Sequence, residues 1–364
     1  MSRKIRIGLV GTSWWAESMF VPALRSHPQA ELAAICGRNR ARAEEVAANH
    51  GIPAVYTDYR EMMAQGGLEA MIVAAPDTQH HAMTLAAVQA GLHVLCEKPL
   101  AMNSHDAWEM YTAAQTARVK HMVLFTYRWM PFFRYFRDLV DQGYVGRLYH
   151  AELRYLSGFG RAPEYRWRYD QDRANGILGD LGSHVIDLAR WLVGDIRRVQ
   201  ARLGVFVDRP GPEGAPLNPA NDSALLLVEF ATGAHGVLQA SAVAHLAEHF
   251  MQQQISLYGE DGTLEINIPW GGPQGGAVIR AARAQDEQFQ TLPVPDSYWA
   301  GVDRSDPFAI FTSHPAGARL FVDAILEDRA ARPDFGDGYQ AQRVIDAAME
   351  SHRTGQAVDI SPGP

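Results

Sequence analysis

Short apolar runs alternate with amphipathic segments along the first third of the chain. Six of these runs are predicted to be strands, at residues 4–10, 31–36, 54–56, 69–75, 92–96 and 121–127. The segments between the longer runs have the periodicity of helices, as at 41–49 and 104–118. Strands that alternate with helices are typical of a mainly parallel, doubly wound sheet. This part of the chain is therefore predicted to be an α/β domain.

The pattern changes after residue 130. A strand is predicted at residues 148–156, and after a helix pattern strand signals follow one another at 196–207, 224–230, 233–242 and 253–259. Between the second and third of these, residues 208–221 are rich in proline and glycine and predict a long surface loop. Consecutive strands predict an antiparallel sheet, so the second part is expected to be an α+β domain. Helices are predicted at 317–326 and 339–349, with Gly336-Asp337-Gly338 as a break between them.

Composition narrows the class of protein. The chain has 364 residues, 47% of them hydrophobic and 20% charged, which suits two globular domains. Its formal charge of −8 argues against a nucleic acid as partner, since such binding needs a basic surface. No apolar run is long enough to span a bilayer, so no membrane partner is expected. Met1-Ser2-Arg3-Lys4 leads directly into the first strand pattern, and we expect a cytoplasmic protein.

The two cysteines, Cys36 and Cys96, are placed at the ends of the second and fifth predicted strands. In the common doubly wound order, two other strands lie between these, which separates the cysteines by about 14 Å. A disulfide needs Cα atoms roughly 4.4–6.8 Å apart. Two free thiols are therefore predicted.

Two further motifs carry little weight. Asn221-Asp222-Ser223 matches a glycosylation sequon, which has no meaning without export. His245-Leu246-Ala247-Glu248-His249 matches the H-x-x-E-H signature of some zinc proteases. That chemistry requires a helix and a further carboxylate, whereas this match lies between two strand patterns. We expect no metal.

A glycine motif lies between the first strand and the first helix. Counted from Gly11, the run Gly11-Thr12-Ser13-Trp14-Trp15-Ala16 fits G-x-G-x-x-G/A, with Ser13 in place of the second glycine. In dinucleotide-binding folds the first glycine makes the turn, and the second lets a pyrophosphate approach the helix N-terminus. The Ser13 hydroxyl can itself donate to a phosphate. The alternative is a plain strand–helix turn.

The end of the second strand bears on the choice of cofactor. An acidic residue here would accept hydrogen bonds from the adenosine ribose, but the chain has Gly37-Arg38-Asn39-Arg40. A small residue followed by arginines favours a 2′-phosphate, which Arg38 can bind through charge-assisted hydrogen bonds. We therefore expect NADP rather than NAD, with NAD still possible.

Ligands of doubly wound sheets bind beyond the carboxyl ends of the strands. Gly11, Arg38, Pro76, His80 and Lys98 all fall at such ends. Lys98 stands between Glu97 and Pro99, where its ammonium can hydrogen-bond a substrate hydroxyl and favour the alkoxide. The alternative for Lys98 is a surface ion pair at a turn.

Asp180 and His184 lie four residues apart in a glycine-rich stretch that opens an apolar helix pattern. In a helix, both side chains lie on one face about 6 Å apart along the axis. A carboxylate and an imidazole so placed can share a substrate, one orienting it and the other exchanging a proton. The alternative is that Asp180 caps the helix and His184 is an ordinary, partly buried histidine.

Five segments occur together, in order and at suitable spacing. They are Gly11-Thr12-Ser13, Ala75-Pro76-Asp77-Thr78-Gln79-His80, Glu97-Lys98-Pro99, Tyr127-Arg128-Trp129-Met130-Pro131 and Gly179-Asp180-Leu181-Gly182-Ser183-His184. Together they resemble the Gfo/Idh/MocA family of oxidoreductases over nearly the whole chain. The resemblance implies a Rossmann domain, taken as 1–125, and a substrate-binding and oligomerisation domain, 126–364. The second domain would have an open-faced, mostly antiparallel sheet with helices on one side, through which a homodimer or homotetramer forms.

The resemblance also implies roles for particular residues. Lys98, Asp180 and His184 match the catalytic set: His184 exchanges the proton of a substrate hydroxyl, Lys98 stabilises the alkoxide, and Asp180 holds the substrate or orients the imidazole. Hydride passes between the carbinol carbon and the nicotinamide. The residues expected to bind the cofactor are Gly11, Thr12, Ser13, Trp14, Trp15, Arg38, Pro76, Asp77, His80, Glu97 and Lys98.

The substrate is expected to be a small polyhydroxylated molecule, such as a sugar, a cyclitol or a related diol. Aromatic residues and arginines near the motifs suit such a ligand. With Asp180 and His184, the candidates are Arg128, Trp129, Tyr165, Arg166 and Trp167. The sequence thus predicts an NAD(P)-dependent dehydrogenase or reductase acting on CH–OH groups. The alternatives are an NAD-dependent glycosidase of the same fold, with no net redox change, and a non-catalytic regulator that binds a dinucleotide.

Overall fold

The structure is a computed structural model that describes residues 3–271 and 276–361. The chain forms two compact units, and each is built from two separate segments. The first unit is Met1–Trp129 with Phe308–Tyr339, and the second is Met130–Pro307 with Gln340–Pro364.

A parallel sheet forms the centre of the first unit. In the described part of this unit it has six strands in the order β3-β2-β1-β4-β5-β6, the order of a Rossmann fold. The strands are β1 (Ile5–Val10), β2 (Ala30–Cys36), β3 (Ala54–Tyr56), β4 (Ala70–Val73), β5 (His93–Cys96) and β6 (His121–Val123). The helices are α1 (Trp14–Arg25), α2 (Arg40–His50), α3 (Tyr59–Gln65), α4 (Asp77–Gln89), α5 (Ser104–Ala117), α9 (Ile310–Ser313) and α10 (Ala318–Leu326).

The core strands carry almost continuous apolar side chains, because helices cover both faces of a parallel sheet. All four residues of β4 are buried, and the apolar residues of β1 are at most 4% exposed. The α/β prediction is confirmed. The sixth strand is shorter than the predicted 121–127, because the chain turns after Val123 into a 3₁₀ turn at Thr126–Trp129. A buried apolar run does not by itself mark where a strand ends.

The cysteine prediction is confirmed as well. β1 and β4 lie between β2 and β5, and Cys36 and Cys96 are buried, free thiols. Burial, together with the nearby carboxylates of Asp58 and Glu61, raises the pKa of Cys36 to about 11.

A second sheet forms the centre of the second unit. Within residues 130–271 and 276–361 its strand order is β14-β13-β12-β11-β7-β10-β9-β8-β15, and all pairs are antiparallel except β7 with β10. The strands are β7 (Leu148–Ser157), β8 (Ile196–Gly204), β9 (Ser223–Phe230), β10 (His235–Ser241), β11 (Met251–Gly259), β12 (Gly262–Trp270), β13 (Val278–Arg283), β14 (Gln290–Leu292) and β15 (Val358–Asp359). The helices are α6 (Pro131–Asp141), α7 (Ser183–Val193), α8 (Asp296–Trp299) and α11 (Phe335–Thr354), which starts in the first unit.

One face of this sheet is covered and the other is open. Along β9, Leu226 and Val228 are buried, while Leu225 and Leu227 are 44% and 54% exposed. Helix α7 packs on the covered face over β7 and β10. The prediction of a mostly antiparallel sheet with helices is confirmed.

Two features of this region differ from the sequence-based expectation. Strands β12, β13 and β14 were not predicted, although β12 alternates strictly between buried and half-buried positions. The predicted break at residues 336–338 is wrong, because these residues lie inside α11. Asp334 and Asp337 form a capping box there: the Asp337 N–H donates to Asp334 Oδ1 (3.2 Å), and the Asp334 N–H to Asp337 Oδ2 (2.9 Å).

In the part of the chain that the structure describes, no helix combines the length and the hydropathy needed to cross a membrane.

Candidate active site

The turn after β1 requires glycine at residue 11. Gly11 has a φ of +126°, and a Cβ atom there would lie 2.3 Å from the carbonyl oxygen of Ala74. Its N–H donates to the Cys36 carbonyl at 2.9 Å, which joins the ends of β1 and β2. The backbone can therefore turn sharply into α1, whose N-terminus faces the carboxyl edge of the sheet. Helix N-termini at this position bind phosphate groups.

Ser13, which stands where a glycine is more usual, has a structural role in this turn. Its Oγ accepts a hydrogen bond from the Ala16 N–H at 3.1 Å, so Ser13 is the N-cap of α1. The neighbouring Thr12 lies against Gly37, where a Cβ atom would come within 2.5 Å of the Thr12 methyl group. The serine caps the helix and keeps its hydroxyl proton for donation.

Three arginines surround the end of β2. Arg40 pairs with Glu44 at 2.8 Å, and Arg42 pairs with Glu17 and with Glu45. Arg38 is exposed, and its side chain has no ion pair or hydrogen bond within residues 3–271 and 276–361. Asn39, next to it, caps α2 by accepting from the Arg42 N–H at 3.1 Å. Of the three, Arg38 is the cation left available to an external anion.

Glu97 and Trp15 are joined by a hydrogen bond at the same edge. Trp15 Nε1 donates to Glu97 Oε1 at 2.5 Å, and the Lys98 N–H donates to Glu97 Oε2 at 3.1 Å. Glu97 is buried, and burial raises its pKa. The carboxylate thus holds α1 and the backbone of Lys98 in one place. Trp14 is 74% exposed, with its ring centroid 6.2 Å from that of Trp15.

His80 joins the loops that follow β4 and β5. It is fully buried, with Nδ1 2.8 Å from the Pro99 carbonyl oxygen and Nε2 2.9 Å from that of Ala75. Only a protonated imidazole can donate to both oxygens. Burial alone would lower the pKa of His80, but the sulfur of Cys96, the charge of Asp77 and the Pro99 carbonyl raise it to about 10.

Pro76 and Asp77 begin helix α4 at this edge. Pro76 is the N-cap residue and Asp77 the first helical residue, with 7% of its surface exposed. Through His80, this helix start is tied to the Lys98–Pro99 loop. The predicted cofactor residues of the first unit therefore share the carboxyl edge of one sheet.

Asp180 and His184 lie in the second unit, on a helix that starts at Gly176. Residues Leu178–Gly182 form a π-helical turn, and α7 continues from Ser183. Asp180 lies within this turn, so the alternative that it caps the helix is wrong. Its Oδ2 is 3.0 Å from Arg168 Nε. Turns of this kind are frequent at functional sites.

His184 lies in the first turn of α7 above the covered face of the sheet. It is 7% exposed, and its ring centroid is 6.3 Å from that of Tyr155 on β7. Tyr155 donates from its hydroxyl to the sulfur of Met251 on β11 at 3.0 Å. The imidazole is thus placed by packing against a buried aromatic side chain.

Arg168 was missed by the sequence analysis. Its guanidinium lies 4.6 Å from the Trp167 ring centroid as well as beside Asp180. Arg166, which was predicted, is exposed and 4.0 Å from Glu164. The two arginines flank Trp167 symmetrically in the sequence, and only the 3₁₀ turn Trp167–Tyr169 distinguishes them.

The other predicted substrate residues have partners in their own units. Tyr165 donates from its hydroxyl to Asp170 Oδ2 at 3.1 Å. Arg128 pairs with Asp337 at 3.1 Å. Trp129 is 7% exposed and packs edge-on against Phe311, with the ring centroids 5.9 Å apart.

The H-x-x-E-H match lies in the loop between β10 and β11, as expected. His249 Nδ1 is 2.9 Å from the Gly271 carbonyl oxygen. Within the described ranges, no group of three or more histidine, cysteine or acidic side chains is arranged to hold a metal ion.

Comparison with protein-family models identifies both parts of the chain. Residues 5–125 match the model described as "Oxidoreductase family, NAD-binding Rossmann fold" of the Gfo/Idh/MocA group. Residues 133–265 match the Gfo/Idh/MocA C-terminal domain.

Three relatives are similar along most of their length. Levoglucosan dehydrogenase of Pseudarthrobacter phenanthrenivorans is 29% identical over 90% of this chain and 88% of its own. An uncharacterised oxidoreductase of Synechocystis is 30% identical over 97% of this chain and 95% of its own. D-xylose 1-dehydrogenase (NADP(+)) 2 of Haloferax volcanii is 28% identical over 97% of this chain and 99% of its own.

A solved structure of levoglucosan dehydrogenase in complex with NADH and levoglucosan has a TM-score of 0.87 and 26% identity, covering 99% of this chain and all of the other. The protein therefore belongs to the Gfo/Idh/MocA family of oxidoreductases, and the prediction of an NAD(P)-dependent dehydrogenase acting on CH–OH groups is confirmed.

Proposed function

We propose that this enzyme oxidises a secondary alcohol of a sugar or a closely related polyol, with NADP as the preferred acceptor. The observation that carries the proposal is the helix of the second unit, where the buried imidazole of His184 follows the carboxylate of Asp180. The family motif that matches these residues is accompanied by similarity to dehydrogenases of levoglucosan and of xylose.

The carboxyl edge of the first unit suits a dinucleotide. The turn at Gly11 leaves no room for a side chain, and the capped N-terminus of α1 offers N–H groups for the pyrophosphate. Arg38 would bind the 2′-phosphate of NADP. When bound, the nicotinamide supplies the hydride acceptor.

In the reaction the substrate loses a proton from an O–H bond and a hydride from a C–H bond, and each has its own acceptor. The hydroxyl proton passes to His184, and Lys98 donates a hydrogen bond to the oxygen as it becomes an alkoxide. The carbinol hydrogen leaves as hydride, and the product is a ketone. Asp180 binds a neighbouring hydroxyl of the substrate, with Arg168 holding its carboxylate in place. This scheme requires Lys98 and His184 to act on the same hydroxyl.

The remaining substrate contacts are proposed from the aromatic and basic residues already described. The Trp167 ring lies against the guanidinium of Arg168, which pairs with Asp180. The further candidates are Arg128, Trp129, Tyr165 and Arg166. We assign cofactor binding to residues 1–125 and substrate binding and oligomerisation to 126–364. The relatives above are named as dehydrogenases or oxidoreductases, and these names support neither an NAD-dependent glycosidase nor a non-catalytic regulator.

The open face of the second sheet is proposed as the surface of a homodimer or homotetramer. It exposes Leu225 and Leu227 and includes a depression of about 600 Å³ lined by His150, Arg198 and His235, among others. Exposed apolar side chains on such a face favour association. Because the two cysteines are unpaired, a reducing compartment such as the cytoplasm is proposed.

The test is a screen for cofactor reduction at 340 nm. Levoglucosan, pentoses, hexoses, glucosides and inositols are each offered with NADP and with NAD. We expect reduction with at least one sugar or cyclitol and a preference for NADP. If neither cofactor is reduced with any polyol, the proposal is wrong.

A further inference from the structure

Asn221 makes several hydrogen bonds to the start of the helix that carries Asp180. Its Oδ1 accepts from the Leu178 N–H at 2.9 Å, and its backbone carbonyl accepts from the Ile177 N–H at 2.9 Å. Its side-chain NH₂ donates to the Asn175 carbonyl at 2.9 Å. All the polar groups involved belong to a buried part of the second unit, and Asn221 itself is 8% exposed.

These contacts replace an ordinary helix cap. The first N–H groups of a helix have no acceptor within the helix, and a side chain just before it usually satisfies them. Here the acceptors come from a residue 43 positions after Leu178. Gly176, with a φ of +64°, makes the close approach possible, since a Cβ atom there would lie 2.4 Å from the Asn221 carbonyl oxygen.

The helix start held in this way leads directly into the π turn. Leu178, whose N–H is bound by Asn221, is the first residue of that turn, and Asp180 is the third. A π turn requires hydrogen bonds that differ from those of the preceding helix, so the point at which it begins fixes the direction of the side chains within it. Asn221 therefore binds the residue at which the π turn begins, two positions before Asp180.

Asn221 is itself held by its neighbour Asp222. The Asp222 carboxylate is fully buried, accepts from the Phe206 N–H at 2.9 Å and pairs with Arg209 at 3.2 Å. The Arg209 guanidinium lies 3.8 Å from the Tyr169 ring centroid, and Tyr169 follows Arg168 in the chain. The predicted surface loop 208–221 is mostly exposed, and it is anchored by Arg209 against Tyr169 and by Asn221 at the helix start.

We propose that Asn221 is a positioning residue of the active site, which places the Asp180 carboxylate for substrate through the π turn. This inference rests on the proposed function, in which Asp180 binds the substrate. It also gives the sequon at Asn221 a different meaning: its amide nitrogen is a buried hydrogen-bond donor and not a site for a glycan.

The test compares Asn221→Ala and Asn221→Asp with Asn218→Ala as control. Asn218 lies in the same loop and is exposed, and its side chain donates to Asp172 Oδ1 at 3.2 Å. Three quantities are measured on the purified enzymes at a temperature where each is folded: amide hydrogen exchange at residues 177–178, kcat and KM for the polyol found in the screen, and the Kd for NADP.

We expect Asn221→Ala to speed exchange at Leu178, whose acceptor is the Asn221 side chain, more than at Ile177, whose acceptor is the Asn221 backbone carbonyl. It should also lower kcat/KM about tenfold or more, as a displaced binding group does. The Kd for NADP should stay within about twofold, because the cofactor residues belong to the other unit. Asn221→Asp keeps an acceptor for the Leu178 N–H, so its exchange rate and its kcat/KM should lie between those of the wild type and Asn221→Ala. Asn218→Ala should match the wild type in all three quantities. If Asn221→Ala fails to fold, the Asn221→Asp variant decides by the same measurements.

Two results would overturn the inference. One is a kcat/KM within about twofold of wild type in a folded Asn221 variant with accelerated exchange. The other is a loss of NADP affinity as large as the loss of kcat/KM, which would indicate that Asn221 has a general structural role. If the wild type oxidises no polyol, the proposed function fails, and unaltered amide exchange in Asn221→Ala would separately refute the capping role.

Discussion

The two units hold their candidate residues in place by different means. In the first unit, the loops that follow neighbouring parallel strands meet at one edge, and hydrogen bonds such as that of His80 with the Pro99 carbonyl join one loop to the next. In the second unit, the helix with Asp180 depends on Asn221, which is far away in the sequence. The sheet brings the cofactor residues together by topology, whereas Asp180 requires a specific tertiary contact.

This difference separates positions where backbone geometry matters from positions where side-chain chemistry matters. At Gly11 the absence of a side chain is what counts, since any Cβ atom would meet Ala74. At Asp180 and His184 the proposed function depends on the side chain, which the surroundings orient. We therefore expect substitutions in the first unit to weaken cofactor binding and substitutions in the second unit to lower turnover. Lys98 is the expected exception, because it belongs to the first unit but is proposed to act in the chemical step.

Lys98→Met should show this exception most clearly. Removal of the ammonium takes a hydrogen-bond donor from the developing alkoxide, so kcat should fall by about 10²–10³-fold. The Kd for NADP, measured by the fluorescence of the bound cofactor, should change by less than about threefold. A large loss of NADP affinity with unchanged kcat would make Lys98 a cofactor contact alone. Lys120→Met, in which the lost lysine pairs with Asp328 at 2.6 Å, is the control.

His80→Gln tests the tie between loops in the first unit. The pKa of His80 is about 10 in the folded state and about 6.5 in an unfolded chain. Its contribution to stability is therefore fully present below pH 6.5 and is lost as the pH rises toward 10. Wild type should be more stable to unfolding than His80→Gln at low pH. This difference in the free energy of unfolding should fall by about 3–4 kcal/mol over this range.

Urea unfolding at pH 6, 8 and 10 measures this difference. His81→Gln is the matched control, because His81 is the next residue and pairs at the surface with Glu109 at 2.8 Å. Its stability should follow that of wild type within about 0.5 kcal/mol at each pH. A constant difference between wild type and His80→Gln across the pH range would contradict a protonated His80.

Arg38→Ala should have a smaller effect, confined to the choice of cofactor. Loss of the charge-assisted hydrogen bonds to a 2′-phosphate should lower the kcat/KM ratio of NADP to NAD by about tenfold. Arg40→Ala, which removes an arginine already paired with Glu44, should leave the ratio unchanged. An unaltered ratio in Arg38→Ala would mean that the 2′-phosphate is bound elsewhere or that NAD is the natural cofactor.

The first unit could be predicted closely because its signals are local. Buried parallel strands are nearly continuous apolar runs, and the strand ends then place Gly11, Arg38, Pro76 and Lys98 on one edge. The exceptions have local causes too. Gly336 and Gly338 favour a helix break in the sequence, but the capping box of Asp334 and Asp337 starts the helix before them.

The second unit was less predictable because its decisive contacts are distant in the sequence. The pair Asp180 and His184 could be found from its spacing, but the π turn depends on Asn221, which looked only like a sequon. Arg166 and Arg168 are equivalent neighbours of Trp167 until a 3₁₀ turn directs one of them to Asp180. β12 is different, since its alternation of apolar and polar residues is visible in the sequence and was missed.

The central claim of the proposed function is that Lys98 and His184 act on one substrate hydroxyl. A double-mutant cycle with Lys98→Met and His184→Ala tests it most directly, with kcat/KM measured for the polyol found in the screen. Groups that act as one set have strongly non-additive effects. We expect His184→Ala to lower kcat/KM by about 10²–10⁴-fold, and the double variant to lose little more than the worse single variant. Losses that multiply, or full turnover in His184→Ala, would contradict the claim.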